Sequence, residues 1–358
     1  MSLSGNHFVK GNCQFMCPTK ERNLRSKEKM VHILETTMDL KSFRLAEKLS
    51  PDPNKMIKKF SRSAAGQALS SPELLRPPKI LFKTVNYLLS EVILDSRIKF
   101  SSVVEFITDA LRSVRQDAVI QEISAQEWVQ LLQPMVRFHS YVSHRLAACP
   151  ISEFDPHLNR NHLNECLKRL LYCYDELDEQ VTDLEQDEFE ALFLLLNPSH
   201  AEPLTRFLSL KRRGRLSVVA FNISIAWLLG RFSKITHLVR HRLTPILVCT
   251  FSLNLPSLRS QILDVLSAGY SSKNLWYPVT QLTQLLLCND SAETISCCKY
   301  YGIECKNDLS AVRFEKCCFD REKPKMSSGT LNFLDEMLKS HPLPDILLGK
   351  VCFHEEND

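Results

Sequence analysis

Cys13 and Cys17, four positions apart, are the first residues along the chain whose types and spacing could do chemistry. With His7 and His32 they could supply half of a tetrahedral metal site. Zinc ordinarily takes a second tight ligand pair, and none lies nearby. Two small thiols packing an entry turn is the simpler reading. Cys297–Cys298, Cys305 and Cys317–Cys318 pose the same choice. Adjacent residues on a helix point about 100° apart, so each adjacent pair offers one sulfur easily; core packing is again favoured. The acidic run DELDEQVTDLEQDEFE at 175–190 is read as a solvated connection between helices, because a magnesium site needs converging oxygens and usually a phosphate. No GxSxG, HExxH, zinc-deaminase or kinase loop set is present, which removes the common hydrolytic and transfer chemistries. Nine glycines form neither GxGxxG nor GxxxxGK[ST], so there is no phosphate-cradling loop. The expectation is a protein without catalysis, cofactor or metal.

Cations are the other chemical resource. The net charge of +4 decides nothing, so local clustering has to carry any argument. Lys55, Lys58, Lys59 and Arg62 lie in KMIKKFSRSAAGQ, which reads as a phosphate contact, a solvated basic face or a partner surface. KRRGR at 211–215 is followed by Arg231, Lys234, Arg240, His241 and Arg242. Nuclear import, phosphate binding and ordinary solvated helix ends compete there. No aromatic interleaving supports stacking of single-stranded bases. Arg313, Lys316, Arg321, Lys323 and Lys325 form a third group, the candidate nucleic-acid contacts.

The elements that position these groups are mostly helical. A chain of 358 residues, 44% apolar and 24% charged, is globular and too long for one ordinary core. Two packed units or a long solenoid are expected. Few glycines argue against an all-β chain. Residues 1–10 read as a disordered leader without a signal-peptide core, and no apolar run nears the roughly 18 residues of a membrane span. Thirteen cysteines without framework spacing suggest reduced thiols in nucleus or cytoplasm. A charged helix is expected from Pro18 to about Leu34, then an extended arm over 39–76 broken by prolines. From Pro77 to 255 helices alternate with short connections, as in a tetratricopeptide-like helical solenoid; Pro134 is expected to kink or restart one of them. Three helices over 257–301 and a strand-like alternation around Val312 and Phe314 then outline a winged helix with a small β-hairpin at 256–325. A last helix at 328–340 and the acidic tail HEEND complete 326–358.

Several stretches in fixed order carry a resemblance. They are GNCQFMCPTKER at 11–22, KKFSRSAAG at 58–66, LRPP at 75–78 and FITDALRSVRQD at 106–117. Together they resemble the Sac-three/GANP family, scaffold proteins of nuclear mRNA export. The matching positions are Gly11, Cys13, Met16, Cys17, Pro18, Glu21, Arg22, Arg62, Gly66, Arg76, Pro77, Asp109, Arg112, Arg115 and Asp117. The resemblance implies a mostly all-α, PCI-like fold, with the arm at 11–76 bracing the solenoid. It also implies a PCI-domain partner, a small acidic protein, and RNA or DNA bound without sequence specificity. No Phe-Gly repeats precede the signature and 33 residues follow the wing. That organisation resembles the short, SAC-domain-only branch, associated with centrosome duplication, spindle assembly and mitotic progression. The expected role is therefore a non-catalytic scaffold in nucleus and cytoplasm, at centrosome and spindle. The alternative is a nucleic-acid-binding scaffold in a transcription–export complex. Neither involves a membrane.

Overall fold

A computed structural model describes residues 9–37, 50–61, 71–177, 183–317 and 319–351. The expected leader up to residue 8, signature residues Arg62 and Gly66, Cys318 and the HEEND tail lie outside the described residues. The described chain is all-α with two small antiparallel sheets. In order it runs α1 (Thr19–Lys27), β1 (Thr36–Thr37), β2 (Ser50–Pro51), α2 (Pro78–Ser90), α3 (Phe100–Ile120), α4 (Ala125–Arg145), α5 (Pro156–Leu177), α6 (Asp183–Leu196), α7 (Ala201–Ser209) and α8 (Arg215–Leu228). It continues with α9 (Phe232–Arg242), α10 (Pro245–Ser252), α11 (Leu255–Gly269), β3 (Tyr277–Pro278), α12 (Val279–Leu285), α13 (Ser291–Tyr300), β4 (Glu304–Cys305), β5 (Ala311–Arg313), α14 (Asn332–Lys339) and α15 (Leu343–Leu347). Two compact units divide it. Unit 1 is Met1–Phe138, Lys168–Leu177 and Pro342–Cys352; unit 2 is His139–Leu167, Asp178–His341 and Phe353–Asp358.

In unit 1, α2 and α3 pack together through apolar stripes whose members (Leu81, Leu88, Leu89, Val103, Ile107, Val114) are almost fully buried, the expected outcome of 3.6-residue periodicity. The arm crosses this core. Its described elements are α1, a 3₁₀ turn at Ile33–Glu35, the paired strands β1 and β2 (Thr36 opposite Pro51, Thr37 opposite Ser50) and a 3₁₀ turn at Pro72–Leu74. The helix expected from Pro18 to Leu34 stops at Lys27. Lys29 adopts a left-handed φ of 54°, and the Met30 N–H donates to Arg25 O at 2.8 Å. Such a reversal ends a helix by satisfying its last carbonyls. Pro134 neither breaks nor restarts α4; it sits inside one 21-residue helix.

In unit 2, α6 packs on α8 and α10, and α9 on α8. The acidic run is only in part the solvated connection expected: Asp175, Glu176 and Glu185 are exposed, and 178–182 lie outside the described residues. α5 extends to Leu177 and α6 begins at Asp183, so much of the run is helical. Two of its carboxylates are buried. Asp187 accepts hydrogen bonds from Leu216 N (2.7 Å) and Ser217 N (2.9 Å), capping the start of α8. Glu190 receives a bidentate grip from Arg206, with Nε–Oε2 at 2.9 Å and Nη2–Oε1 at 2.7 Å. Both acids have partners too far along the chain for a local charge count to reveal. Asp187→Ala should cost about 1–2 kcal/mol by leaving two first-turn N–H groups unpaired, read as a lower urea midpoint with unchanged m-value.

The last part of unit 2 runs α11–β3–α12–α13–β4–β5, with sheet order β3-β5-β4. That is the element order of a winged helix. Val312 stands opposite both Tyr277 and Cys305, and Arg313 opposite Glu304. Val312 and Phe314 face the core while Arg313 and Glu315 do not. The third strand, β3, went unforeseen because two residues ending in Pro278 carry no alternation; proline is tolerated because the strand is an edge. The last helix is shorter than 328–340, and α15 follows it, with Pro342 as its N-cap and Pro344 in its first turn. Prolines that close one helix here open another.

Candidate functional site

Part of the signature, Gly11, Met16, Arg76 and Asp117, converges on one buried polar cluster in unit 1. Asp117, fully buried on α3, is its centre. Its Oδ1 accepts from Lys58 Nζ at 2.6 Å and its Oδ2 from Arg76 Nε at 2.7 Å. Arg76, also with no exposed surface, donates further to Met16 O (3.2 Å) and Ser113 Oγ (2.9 Å). Ser113 donates in turn to Lys58 O at 2.7 Å, and Lys58 Nζ to Leu74 O at 2.7 Å. Gln121 Nε2 donates to Arg76 O, while its Oε1 accepts from Gly11 N, both at 2.8 Å. Cys13 N donates to Leu75 O at 3.1 Å. At Gly11 a Cβ would collide with the Leu75 carbonyl and the Gln121 amide, so the close approach requires glycine.

A second pair extends the cluster. Arg25 and Glu35 are both buried and joined by an ion pair. Arg25 Nη1 also donates to Ile57 O (2.9 Å), and Glu35 accepts from Ile57 N and His32 N, each at 3.0 Å. Glu21 accepts from Lys59 N at 2.9 Å. Arg22 lies over the Phe15 ring at 4.2 Å and donates to Thr19 Oγ1 at 3.0 Å. Pro18 and Pro77 are the N-caps of α1 and α2.

Apart from Arg25 Nε, which is buried without a hydrogen-bond partner, the side chains of this cluster bond to one another and to backbone groups of the arm. What it does is pin residues 11–17, 57–61 and 72–76 to one face of α3. Lys58, counted in the sequence among possible phosphate contacts, is instead a buried partner of Asp117. Ser113, Gln121, Arg25 and Glu35 belong to the cluster as much as the signature positions do. Asp109 and Arg112 do not join it: they make a surface pair at 2.9 Å, with the Arg112 guanidinium also 4.1 Å from the Phe60 ring centroid. Arg115 is half-buried on the same helix.

Cys13 and Cys17 are buried beside the cluster, Cys13 Sγ donating to Phe15 O at 3.3 Å. Burial above all, then the charge of Glu21, pushes the Cys17 thiol far above its ordinary range. His32 Nδ1 accepts from Leu34 N at 3.3 Å and its ring stacks on Phe106. Among the described residues no three His, Cys, Asp or Glu side chains converge to hold a metal ion. Native-state maleimide labelling read by mass spectrometry should modify exposed Cys317 first, and Cys17, Cys249 and Cys298 only on unfolding, because they are buried and the thiolate is the reactive form.

The wing cations are placed differently. Arg313 pairs with Glu304 and with Glu315 (3.3 Å) and lies 5.4 Å from the Trp276 ring centroid. Arg321 holds Asp264 at 2.7 Å. Lys323 donates to Tyr300 O at 2.6 Å with Asp320 at 3.9 Å. Lys325 donates to Ser257 Oγ at 2.9 Å. Lys316 is exposed, and its backbone N–H binds Ser271 Oγ at 3.1 Å. Arg313 lies in β5 and Lys316 just after it, whereas Arg321 and Lys325 bond to α11 and Lys323 to the end of α13; three of the five have a carboxylate of this same chain as partner. Spacing showed the cations but not the intervening acids that fold against them. No helix among the described residues is long and apolar enough to cross a membrane.

The model of the SAC3/GANP family matches residues 16–307. Among curated proteins, the chain is 31% identical over 211 residues to Protein xmas of Drosophila melanogaster, covering 56% of this chain and 9% of that protein. It is 28% identical to SAC3 family protein B of Arabidopsis thaliana, over 77% of this chain and 16% of the relative. It is 24% identical to SAC3 family protein 1 of Schizosaccharomyces pombe (strain 972 / ATCC 24843), over 95% of this chain and 35% of the relative. The chain therefore corresponds to a minor part of each relative's length.

Proposed function

The chain belongs to the SAC3/GANP family, and from that premise we propose that it is a non-catalytic scaffold working through protein contacts in centrosome duplication, spindle assembly and mitotic progression. One observation carries the protein-contact part. Arg76 and Asp117 of the signature are consumed with Lys58 in a buried brace, Asp109 and Arg112 pair with each other on the surface, and three of the five wing cations pair with Glu304, Glu315, Asp264 and Asp320. Neither cluster presents a nucleophile, a general base or a dense phosphate-binding field. The brace fixes the arm on the helices of unit 1, unit 2 carries a winged helix, and each is a surface for other proteins. The partners proposed are a PCI-domain protein, a small acidic protein and centrosomal or spindle components, met in nucleus and cytoplasm.

A second reading is a nucleic-acid-binding scaffold in mRNA export. It is favoured by Lys316, just after β5, and Lys325, against α11, both exposed and with no carboxylate partner among the described residues. Affinity purification of the tagged chain, with and without nuclease and read by mass spectrometry, separates the two. Centrosomal or spindle proteins retained after nuclease, together with supernumerary centrosomes or disordered poles on depletion, support the first. Normal mitosis in depleted cells sinks it. The second requires RNA affinity that falls steeply with salt and falls again in Lys316→Ala and Lys325→Ala.

A further inference from the structure

The sequence from 203 to 263 contains no aspartate or glutamate. It carries ten Lys and Arg residues, Arg206, Lys211, Arg212, Arg213, Arg215, Arg231, Lys234, Arg240, Arg242 and Arg259. Arg206 and Arg259 are consumed by Glu190 and Glu293. The structure sorts part of the remainder onto one surface. α9 buries Ile235, Thr236 and Val239 and turns Lys234, His237 and His241 outward. Arg231, its N-cap, is exposed just before them. At 100° per residue, 234, 237, 238 and 241 share one face, so half-buried Leu238 lies in the middle of the stripe. The His237 and His241 rings lie 4.9 Å apart along it.

Two further facts give this stripe a ligand chemistry. First, the helices that pack most on it bring it no free carboxylate. α9 contacts α8, α10 and α12, and none of the three contains an acidic residue. α14 reaches α9 through Phe333, on which Arg240 stacks at 4.8 Å. Its two acids are already engaged, Asp335 with His144 and Glu336 with Lys339. Arg231 and Lys234 make no ion pair among the described residues. Second, the corner leading into α9 presents leucines to solvent. Leu228 is 54% exposed and Leu229 58%, side by side before Gly230, whose φ of 65° turns the chain. A solvated basic face has no use for two adjacent exposed leucines. A surface that docks an amphipathic segment does.

We propose that the α8–α9 corner and the outward face of α9 form a docking surface for an acidic, amphipathic helix of a partner protein. Its carboxylates would meet Arg231 and Lys234, and its apolar residues would cover Leu228, Leu229 and Leu238. A helix fits because the basic positions recur with helical period along a single helix, the geometry of helix-on-helix packing. RNA is disfavoured because no Phe, Tyr or Trp lies on the stripe to stack a base; its rings are those of His237 and His241, tilted against each other. The proposal deepens the scaffold reading, and rests on it only in taking the ligand to be a protein.

The test uses the purified full chain and fluorescence anisotropy. The probes are a labelled Glu/Leu amphipathic peptide of about 20 residues, long enough to hold a helix, its Lys/Leu counterpart, a single-stranded RNA of mixed sequence, and vesicles containing phosphatidylserine. The Glu/Leu peptide should bind and the Lys/Leu peptide should not. The pair Arg231→Glu/Lys234→Glu should weaken binding at least about tenfold, the effect of about 1.4 kcal/mol. Leu228→Ser/Leu229→Ser should weaken it by a similar factor without changing the salt dependence. All four substitutions are at exposed positions, and circular dichroism with an unchanged melting curve checks that the variants fold. No binding of the Glu/Leu peptide overturns the proposal, as does equal binding by wild type and variants. RNA or vesicle binding that alone responds to the substitutions also overturns it. Because the probe is synthetic, failure here leaves the purification test of the scaffold role standing, and the reverse holds too.

Discussion

Asp117→Asn is expected to destabilise the folded chain by about 3–5 kcal/mol, the range for removing one partner from a buried charge network. The shape of the side chain is retained, so packing is not what is lost. What changes is that Lys58 and Arg76, 6% and 0% exposed, are left in the interior with no counterion. Their remaining partners, Leu74 O, Met16 O and Ser113 Oγ, are dipoles and cannot neutralise two cations. Domain stabilities are about 5–15 kcal/mol, so this one change removes a large fraction. Urea unfolding should show the midpoint fall, and hydrogen exchange should show the arm, residues 11–17 and 57–61, losing protection first. Asp109→Asn is the control. It breaks an exposed pair on the same helix, with Asp109 65% exposed, and should change stability by under about 1 kcal/mol. Adding Lys58→Met to Asp117→Asn removes one of the stranded cations and should restore part of the loss. A double variant no better than the single would mean the charge imbalance is not the cause. A loss under about 1 kcal/mol in Asp117→Asn itself would mean the cluster does not hold the arm.

That cluster marks how far the sequence could be read. The stripes of α2 and α3 are visible because a helix repeats its buried positions every three or four residues, all within one short window. The winged-helix outline is visible for the same reason, through α11, α12, α13 and the alternation at Val312 and Phe314. The brace is not visible by such means. Lys58, Arg76 and Asp117 are separated by 18 and 41 positions, and nothing local tells a lysine that will be buried from one that will face water. The signature marked Arg76 and Asp117 by resemblance but placed Asp109 beside them, although Asp109 lies on the solvent side of α3. The same limit hid the acids on the wing. Arg313 and Glu304, or Arg321 and Asp264, are 9 and 57 positions apart. A list of cations therefore overstated the positive field. Asp187 and Glu190 show the converse error, where a run of acids read as solvated contained a helix cap and a buried ion pair.

Arg259→Ala is expected to loosen the winged helix specifically, at about 3 kcal/mol. Arg259 is on α11, 5% exposed, and spans the turn from α12 to α13. Its Nε donates to Leu286 O at 2.9 Å, its Nη2 to Leu287 O at 2.7 Å and its Nη1 to Glu293 Oε1 at 2.7 Å. Those two carbonyls follow the last turn of α12, where a helix leaves acceptors unpaired and where a cation is favoured. Leu287 holds a left-handed φ of 51°, a conformation costly to a leucine and kept only where its surroundings fix it. Removing the guanidinium leaves two buried carbonyls without their donor and Glu293 without its cation. Each orphaned acceptor costs about 1–3 kcal/mol, and relaxation of the turn recovers part of the sum. Glu293 keeps its bond from Asn289 N at 2.7 Å, so α13 should start in the same place while α12 frays. Hydrogen exchange should therefore rise over residues 279–288 and reach β5 through Val279 N, which donates to Ser310 O at 2.9 Å. Exchange in the brace of unit 1 should stay unchanged. Arg259→Lys provides one cation without the planar fork, and should recover part of the loss. Arg321→Ala, removing a 65% exposed partner of Asp264, should cost under about 1 kcal/mol. If Arg259→Ala and Arg321→Ala proved equal, the winged helix would be held by its apolar core alone. If Arg259→Ala raised exchange evenly through both units, the wing would unfold only with the whole chain, and a partner docking on it would be stabilising everything from α1 to α15.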